Sequence, residues 1–218
     1  IALFDLDKTL TRRGTWSRFV RFASPNKLKF WAVLPLIGWQ ALIYKLGLAS
    51  RASVKIASIH YLLKGRSRAD LAARAKEFIE LEISTGLRRH TLERIEAHRL
   101  AGDRLIIASA AVDLICDEVA RALSFEGVIS TKLAWDRQDR LRADLEGENS
   151  YGEEKFARKK AYFDHQRPEG VIYFYSDHHT DMPSLLWADQ GIAVNPSPPL
   201  RHLAKAHNLT IQDWEQAS

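Results

Sequence analysis

Short apolar runs recur along the chain, and each is followed by small or polar residues and then by a helical pattern. The runs cover residues 1–4, 105–108, 171–175 and 192–194. Continuous apolar runs of this length are typical of parallel strands whose two faces are both covered by helices. Their alternation with helical segments therefore predicts an α/β fold built on a parallel sheet.

Two further elements follow from local spacing. In residues 112–123 apolar residues recur at intervals of three and four, which predicts a crossover helix. Cys116 lies on the apolar face of that helix, so we interpret it as a buried packing residue. Residues 131–135 and 140–145, joined by a polar turn, predict a small β-hairpin.

One long stretch, residues 14–90, behaves differently from the rest. Helical spacing recurs there, for example at Trp16 and Phe19, and no alternating strand pattern is present. We therefore predict an all-helical insertion at 14–90, carried by an α/β core formed by residues 1–13 and 91–218.

Composition places the chain among ordinary globular proteins. Of its 218 residues, 46% are hydrophobic and 27% are charged, which is enough to bury a sizeable core. A net charge of +5 suits an anionic substrate, a nucleic acid or an anionic membrane surface, and the balance alone does not choose among them. Aromatic residues do not interleave with the basic clusters and no recognition motif is present, so we expect no nucleic-acid binding.

The single cysteine excludes an internal disulfide and favours a reducing compartment. We expect no signal peptide, because the given sequence begins directly on an apolar run. Its first residue is Ile, so we expect a few native residues to precede it. We therefore expect a cytoplasmic protein, with attachment to the inner face of the membrane as an open alternative.

Residues 30–44 carry no charge. A spanning helix needs about 20 apolar residues, and Pro35 interrupts this stretch, so we predict that it does not cross a bilayer. Two interpretations remain open: a buried helical hairpin of the insertion, or a membrane-surface element over residues 28–48. Trp31 and Trp39 suit the second, because tryptophan favours membrane interfaces.

The first candidate site follows the first apolar run, in the sequence Phe-Asp-Leu-Asp-Lys-Thr-Leu. Asp5 and Asp7 alternate along an extended chain, so their carboxylates share one face. They come at the end of a predicted strand, where open α/β sheets place ligands. A structural cap or turn is the alternative for such a pair.

The D-x-D-x-T pattern resembles the opening motif of haloacid dehalogenase-like phosphatases. The resemblance implies a Rossmann-like sheet with a helical cap, here residues 14–90, as in the subfamily that contains phosphoserine phosphatases. It implies that Asp5 attacks phosphorus and forms an aspartyl-phosphate, while Asp7 acts as general acid and then general base. Thr9 would order the loop and help to bind phosphate.

Two more motifs of that family can be located. Ser109 follows an apolar run, and the resemblance implies that its hydroxyl and the backbone N–H of Ala110, near the start of the next helix, bind phosphate oxygens. A helix cap is the alternative role for Ser109. Lys155 opens a helix after a glycine and would neutralise both Asp5 and the transferring phosphoryl group. Its alternative is a surface lysine in a basic run.

The fourth motif, Ser-Asp-His-His-Thr-Asp, ends the run at 171–175. The resemblance implies that Mg²⁺ is bound by Asp5, the backbone carbonyl of Asp7 and Asp177. Asp181 would lie in or next to this shell, or cap the following helix. Oxygen ligands of this kind suit Mg²⁺.

This motif departs from the family pattern at Ser176, which replaces a glycine, and at His178. His178 and His179 could suggest zinc or iron, but the carboxylate-rich context favours a hard cation. We interpret them as polar residues that line or flank the site, and His178 as a candidate specificity residue.

The sequence thus predicts a Mg²⁺-dependent phosphatase for a small soluble phosphate monoester. The open alternative is a membrane-associated phosphatase for a phospholipid head group such as phosphatidylglycerophosphate. Arg12 and Arg13 occupy the stretch where phosphoserine phosphatases carry an acidic residue for the substrate ammonium. We therefore predict poor phosphoserine turnover, with Arg12 and Arg13 as candidate specificity residues.

Overall fold

The computed structural model describes residues 1–147 and 149–215. Its strands are β1 (Ala2–Phe4), β2 (Leu105–Val112), β3 (Gly127–Trp135), β4 (Leu141–Glu146), β5 (Tyr173–Ser176), β6 (Gln190–Val194) and β7 (Thr210–Gln212). They form one seven-stranded sheet in the order β4-β3-β2-β1-β5-β6-β7. Every neighbouring pair is parallel except β3 and β4, which form the predicted antiparallel hairpin. The predicted α/β fold class is confirmed.

Nine α-helices are formed by the described residues. They are α1 (Trp16–Ala23), α2 (Lys27–Lys45), α3 (Arg51–Ser58), α4 (Arg68–Thr85), α5 (Thr91–Leu100), α6 (Asp113–Leu123), α7 (Glu153–Tyr162), α8 (Met182–Trp187) and α9 (Pro198–Ala206). Helices α1 to α4 lie within residues 14–90, between β1 and β2. The division into a core and a cap at these boundaries stays a prediction.

The sheet buries apolar side chains on both faces, as its continuous apolar runs require. Neighbouring residues of β1 point to opposite faces, so Leu3 and Phe4 belong to different clusters. The Phe4 cluster also contains Phe19 and Leu71 of the inserted helices. Each such side chain contributes roughly 1.5–3 kcal/mol on burial, so this shared core holds the insertion against the sheet. Cys116 is buried in the same cluster, as predicted.

Of the two interpretations left open for residues 30–44, the buried helical hairpin is wrong. Residues 27–45 form one continuous helix, α2, in which only Phe30 is buried. Pro35 removes one backbone donor but lies on the exposed side, where the helix tolerates the loss. Among the described residues, none of the helices has the length and apolar character that crossing a bilayer requires.

Candidate active site

The site lies at the carboxyl end of β1, between β2 and β5. Asp5 follows the last residue of the strand, and its backbone N–H donates to the Tyr175 carbonyl of β5 at 2.9 Å. The chain then turns sharply, with Lys8 in the left-handed region at φ 65°. This turn carries Asp5, Asp7 and Thr9 to one end of the parallel strands, as expected for an open α/β sheet.

A buried lysine lies between two buried carboxylates. The Lys155 Nζ donates to Asp5 Oδ1 at 2.9 Å and to Asp181 Oδ2 at 2.8 Å. The hydroxyl of Ser176 also donates to Asp181 Oδ2, at 2.6 Å. Four side chains, from the turn after β1, from α7, from the end of β5 and from the segment after β5, are therefore joined by charge-assisted hydrogen bonds.

Burial dominates the electrostatics of these carboxylates. It raises the pKa of Asp5 to about 6, although the charge of Lys155 acts in the opposite direction. It also raises the pKa of Asp177 to about 7, with a further increase from the charge of Asp5. Burial lowers the pKa of Lys155, but Asp181 and Asp5 together outweigh it and raise that pKa above its ordinary value. Lys155 therefore remains a cation.

Asp7 is held by a residue eight positions later. The Thr15 backbone N–H and hydroxyl both donate to Asp7 Oδ1, at 2.8 and 2.7 Å. Thr9 joins the first motif to the fourth, since its hydroxyl donates to Asp5 Oδ2 at 3.3 Å and accepts from the backbone N–H of Asp177 at 3.0 Å. These bonds orient both candidate catalytic carboxylates.

Ser109 is buried, but it does not lie at the start of a helix. Strand β2 continues past it and loses regular pairing with β3 between Ala108 and Val112, and α6 begins only at Asp113. Backbone donors for a phosphate would therefore come from this irregular segment and not from the helix. The Ser109 hydroxyl accepts from the Ala111 backbone N–H at 3.2 Å.

The motif residues meet around one small cavity of about 140 Å³. Its lining includes Asp5, Asp7, Ser109, Ala110, Lys155, Asp177, His178 and Asp181, together with Lys8, Gly14, Tyr151 and Thr180. Thr9 lies beneath it through its bonds to Asp5 and Asp177. The assigned roles of these residues stay predictions.

The donor set around Asp5 and Asp177 fits a hard divalent cation. Both carboxyls are buried, and the charge of Asp5 raises the pKa of Asp177, an effect that a cation between them would offset. Asp181 is bound instead to Lys155 and Ser176, and its side chain does not cap α8. Within residues 1–147 and 149–215, no three His, Cys, Asp or Glu side chains form a metal-binding group, so the choice of Mg²⁺ over zinc or iron stays a prediction.

The three candidate specificity residues differ in position. His178 lines the cavity, and its Nδ1 lies 3.0 Å from the Thr180 hydroxyl. Arg12 points elsewhere, with Nε 3.2 Å from a carboxylate oxygen of Glu215. Arg13 is exposed. A specificity role for these residues stays a prediction.

Some residues of the site escape motif-based reasoning. Lys8 and Tyr151 line the cavity, and Thr15 binds Asp7. Lys55 of the insertion is buried and donates to the Ala110 carbonyl and to Asn149. Lys8 and Tyr151 had a sequence signal, because Lys8 lies inside the first motif and Tyr151 lies directly before the glycine of the Lys155 motif. Thr15 and Lys55 become neighbours of the site only through folding.

A second buried lysine of α7, Lys159, lies one helical turn beyond Lys155. Its Nζ has no hydrogen-bond partner and lies 4.3 Å from the ring centroid of Trp187, 4.7 Å from that of Phe174 and 4.8 Å from that of Phe156. Burial lowers its pKa to about 7. Cation–π contacts thus replace only part of the lost hydration.

Replacing Lys159 with Met is expected to raise the free energy of unfolding near pH 7 by about 1–4 kcal/mol, because Met fills similar volume without a charge. The folded chain releases this proton near pH 7 and the unfolded chain near pH 10.5. The free energy of unfolding of the wild type therefore increases with pH across that interval. The stabilisation of Lys159→Met relative to the wild type should decrease accordingly. Denaturant unfolding at both pH values measures this.

The control for that experiment is Lys160→Met, because Lys160 is an exposed lysine on the same helix. It should change stability little at either pH. An equal gain from Lys160→Met, or a gain from Lys159→Met that does not depend on pH, would contradict the interpretation of Lys159 as a buried, unpaired amine.

Comparisons with known proteins agree with this geometry. The chain is 27% identical over 153 residues to a histidinol-phosphatase from Neisseria meningitidis, covering 68% of this chain and 69% of the relative. It is also 27% identical over 223 residues to a phosphoserine phosphatase from Mycobacterium tuberculosis, covering 99% of this chain and 71% of the relative.

A solved structure is similar along almost the whole length. It is a Bordetella pertussis protein of unknown function, with a TM-score of 0.84, 26% identity and 98% of each chain covered. The family model for haloacid dehalogenase-like hydrolases matches residues 2–186. This match confirms the resemblance carried by the four motifs. The chain belongs to the haloacid dehalogenase-like hydrolase family.

Proposed function

We propose that this protein is a Mg²⁺-dependent phosphatase that hydrolyses a phosphate monoester through an aspartyl-phosphate formed on Asp5. The observation that supports this most strongly is the buried arrangement of Asp5, Lys155 and Asp181. It presents an oriented carboxylate beside a permanent cation, with Asp7 lining the same cavity. A carboxylate nucleophile needs this kind of oriented, charge-stabilised setting.

In the first step, a carboxylate oxygen of Asp5 forms a bond to phosphorus as the bond from phosphorus to the leaving oxygen breaks. Asp7 gives that oxygen its proton. In the second step, Asp7 takes a proton from water, whose oxygen attacks phosphorus and releases inorganic phosphate from Asp5. Lys155 stabilises the negative charge in both steps.

Mg²⁺ held by Asp5, the Asp7 carbonyl and Asp177 would supply positive charge against the phosphoryl oxygens. The residues of the chain account for the rest of the site. Ser109, the backbone N–H of Ala110 and Lys155 would bind the phosphoryl oxygens. Thr15 keeps Asp7 oriented through two hydrogen bonds.

A small phosphorylated metabolite is the favoured substrate class. The cavity of about 140 Å³ is well below the roughly 300–1,000 Å³ of pockets that enclose drug-sized ligands. The two relatives named above carry different substrates in their names, so similarity does not choose between them. The exposed apolar surface of α2 favours the alternative of a phospholipid head group. We also propose that the protein is located in the cytoplasm.

A panel of phosphate monoesters tests this function. We expect hydrolysis of a generic aryl phosphate with Mg²⁺ and its loss with EDTA, because the ligands are all oxygen atoms. The panel should include sugar phosphates, histidinol phosphate, phosphoserine and lipid phosphates. Phosphoserine should be a poor substrate, since neither Arg12 nor Arg13 can pair with its ammonium group.

For each of these expectations, one result would contradict it. Full activity in metal-free buffer, or activity restored by Zn²⁺ alone, would contradict the magnesium site. The highest kcat/KM for phosphoserine would contradict the interpretation of Arg12 and Arg13. A lipid phosphate as the best substrate would select the phospholipid alternative.

A further inference from the structure

The solvent side of α2 carries a continuous line of apolar side chains. Its members follow one another at intervals of three and four residues, so they share one helical face. We name this face the α2 stripe, and it consists of Leu28, Trp31, Pro35, Trp39, Leu42 and Leu46. Trp31 is 57% exposed, Trp39 60% and Leu28 81%. An apolar face of this length is unusual on a soluble monomer surface.

The α2 stripe is not an unused part of the internal core. The opposite side of α2 already packs inward, through buried Phe30 and through partly buried Leu34 and Ile37. That packing fixes the rotation of the helix. The aromatic and aliphatic side chains of the stripe consequently project away from the protein.

The chain segment that contains the stripe is strongly basic. Residues 8–69 contain 13 Lys and Arg and no Asp or Glu. The remaining residues hold 19 Lys and Arg against 27 Asp and Glu, so the positive charge is concentrated in this part of the chain. Lys27 and Lys29 lie at one end of α2 and Lys45 at the other, all exposed.

A cavity of about 670 Å³ opens beside the first turns of α2 and adds to this pattern. Its lining includes Arg21 and Lys27 next to Trp31, and the Arg21 guanidinium lies 5.6 Å from the Trp31 ring centroid. Glu82 also lines it, but this carboxylate is paired with Arg18. The cavity therefore presents cations beside an aromatic ring, a combination suited to an anionic head group.

The positive charge around the α2 stripe distinguishes between two possible partners, a second copy of this chain and an anionic bilayer. A second copy of this chain would place one basic surface against another in a two-fold dimer, which is repulsive. An anionic bilayer offers the complementary charge, and tryptophan side chains favour its interface. We propose that α2 lies flat on an anionic lipid surface, with the α2 stripe in the interfacial layer and the flanking lysines against the head groups.

Vesicle flotation tests this with the full chain. We expect binding to vesicles of phosphatidylcholine mixed with phosphatidylglycerol, weak binding to phosphatidylcholine alone, and release by salt. The double variant Trp31→Ala, Trp39→Ala should reduce binding at least about tenfold, because it removes the largest apolar groups. Lys27→Glu with Lys29→Glu should have a similar effect through charge. Circular dichroism verifies that each variant is folded.

The matched control is Leu92→Ala with Leu100→Ala, two exposed leucines of α5 outside the stripe. It should bind like the wild type. No binding to the anionic vesicles at low salt, equal binding to neutral vesicles, or equal loss in the control would overturn the proposal. A dimer that the tryptophan variant dissociates would also overturn it, because a second copy would then occupy the stripe. None of these results depends on phosphatase activity.

Discussion

Asp5→Asn is expected to abolish turnover while leaving the fold intact. Asn has nearly the same shape as Asp but offers no carboxylate to attack phosphorus. The buried Asp5 carboxyl has its pKa raised to about 6, so its charged form is already costly and a neutral amide is tolerated. Lys155 keeps Asp181 as its partner. We expect at least about a thousandfold loss of kcat, a barrier increase of about 4 kcal/mol.

Steady-state kinetics on an aryl phosphate measure this loss, and acid-quenched samples with labelled substrate test the intermediate. The wild type should retain label on the protein, and Asp5→Asn should not. Asp117→Asn, on the exposed side of α6, is the matched control and should remain active. If Asp5→Asn keeps more than about a tenth of wild-type kcat, a loss under about 1.4 kcal/mol, Asp5 is not the nucleophile.

Lys155→Ala is expected to lower turnover by about 10²-fold or more, because it removes the cation that faces both Asp5 and the phosphoryl group. Its loss also leaves Asp5 and Asp181 buried without their shared partner. Lys155 lowers the pKa of Asp5 in the wild type, so the pKa of Asp5 should rise in the variant. The acid limb of the pH–rate profile should move to higher pH accordingly.

Removing one partner of a buried ion pair typically costs about 3–5 kcal/mol of stability, so unfolding is measured alongside activity. Two comparisons separate the role of Lys155 from a general loss of structure. Lys160→Ala removes an exposed lysine from the same helix and should have little effect. Ser109→Ala removes one donor among several and should be milder than Lys155→Ala. The opposite ranking, or an unmoved acid limb in a folded variant, contradicts the assignment.

Much of the sheet and of the site could be predicted, because the local pattern of apolar and polar residues and the order of the elements along the chain carry that information. Apolar runs that end in polar residues located β1, β2, β5 and β6, and the carboxyl ends of parallel strands necessarily meet at one edge of a sheet. This is why Asp5, Ser109 and Asp177, far apart in sequence, line one cavity. The start of the helix that carries Lys155 was also predictable, since Gly152 directly precedes the first helical residue, Glu153.

Other features had no local signal. Asp7 is oriented by Thr15 only because the chain turns back after β1, and Lys155 selects Asp181 only because α7 packs beside β5. The irregular pairing of β2 with β3 had no local signal either, and it leaves Ser109 and Ala110 in an extended segment before α6. Each of these contacts joins segments whose approach depends on packing elsewhere in the chain.

Residues 30–44 have properties that their sequence determines and others that only tertiary packing decides. Its sequence determined that it would be uncharged, apolar and helical, with basic residues at both ends. Whether those apolar side chains would be buried depended on how much surface the neighbouring helices could cover. They cover the side of α2 that carries Phe30 and leave most of the α2 stripe exposed. Sequence alone therefore determined the chemistry of this surface and of the motifs, whereas tertiary packing decided which side chains face solvent and which face each other.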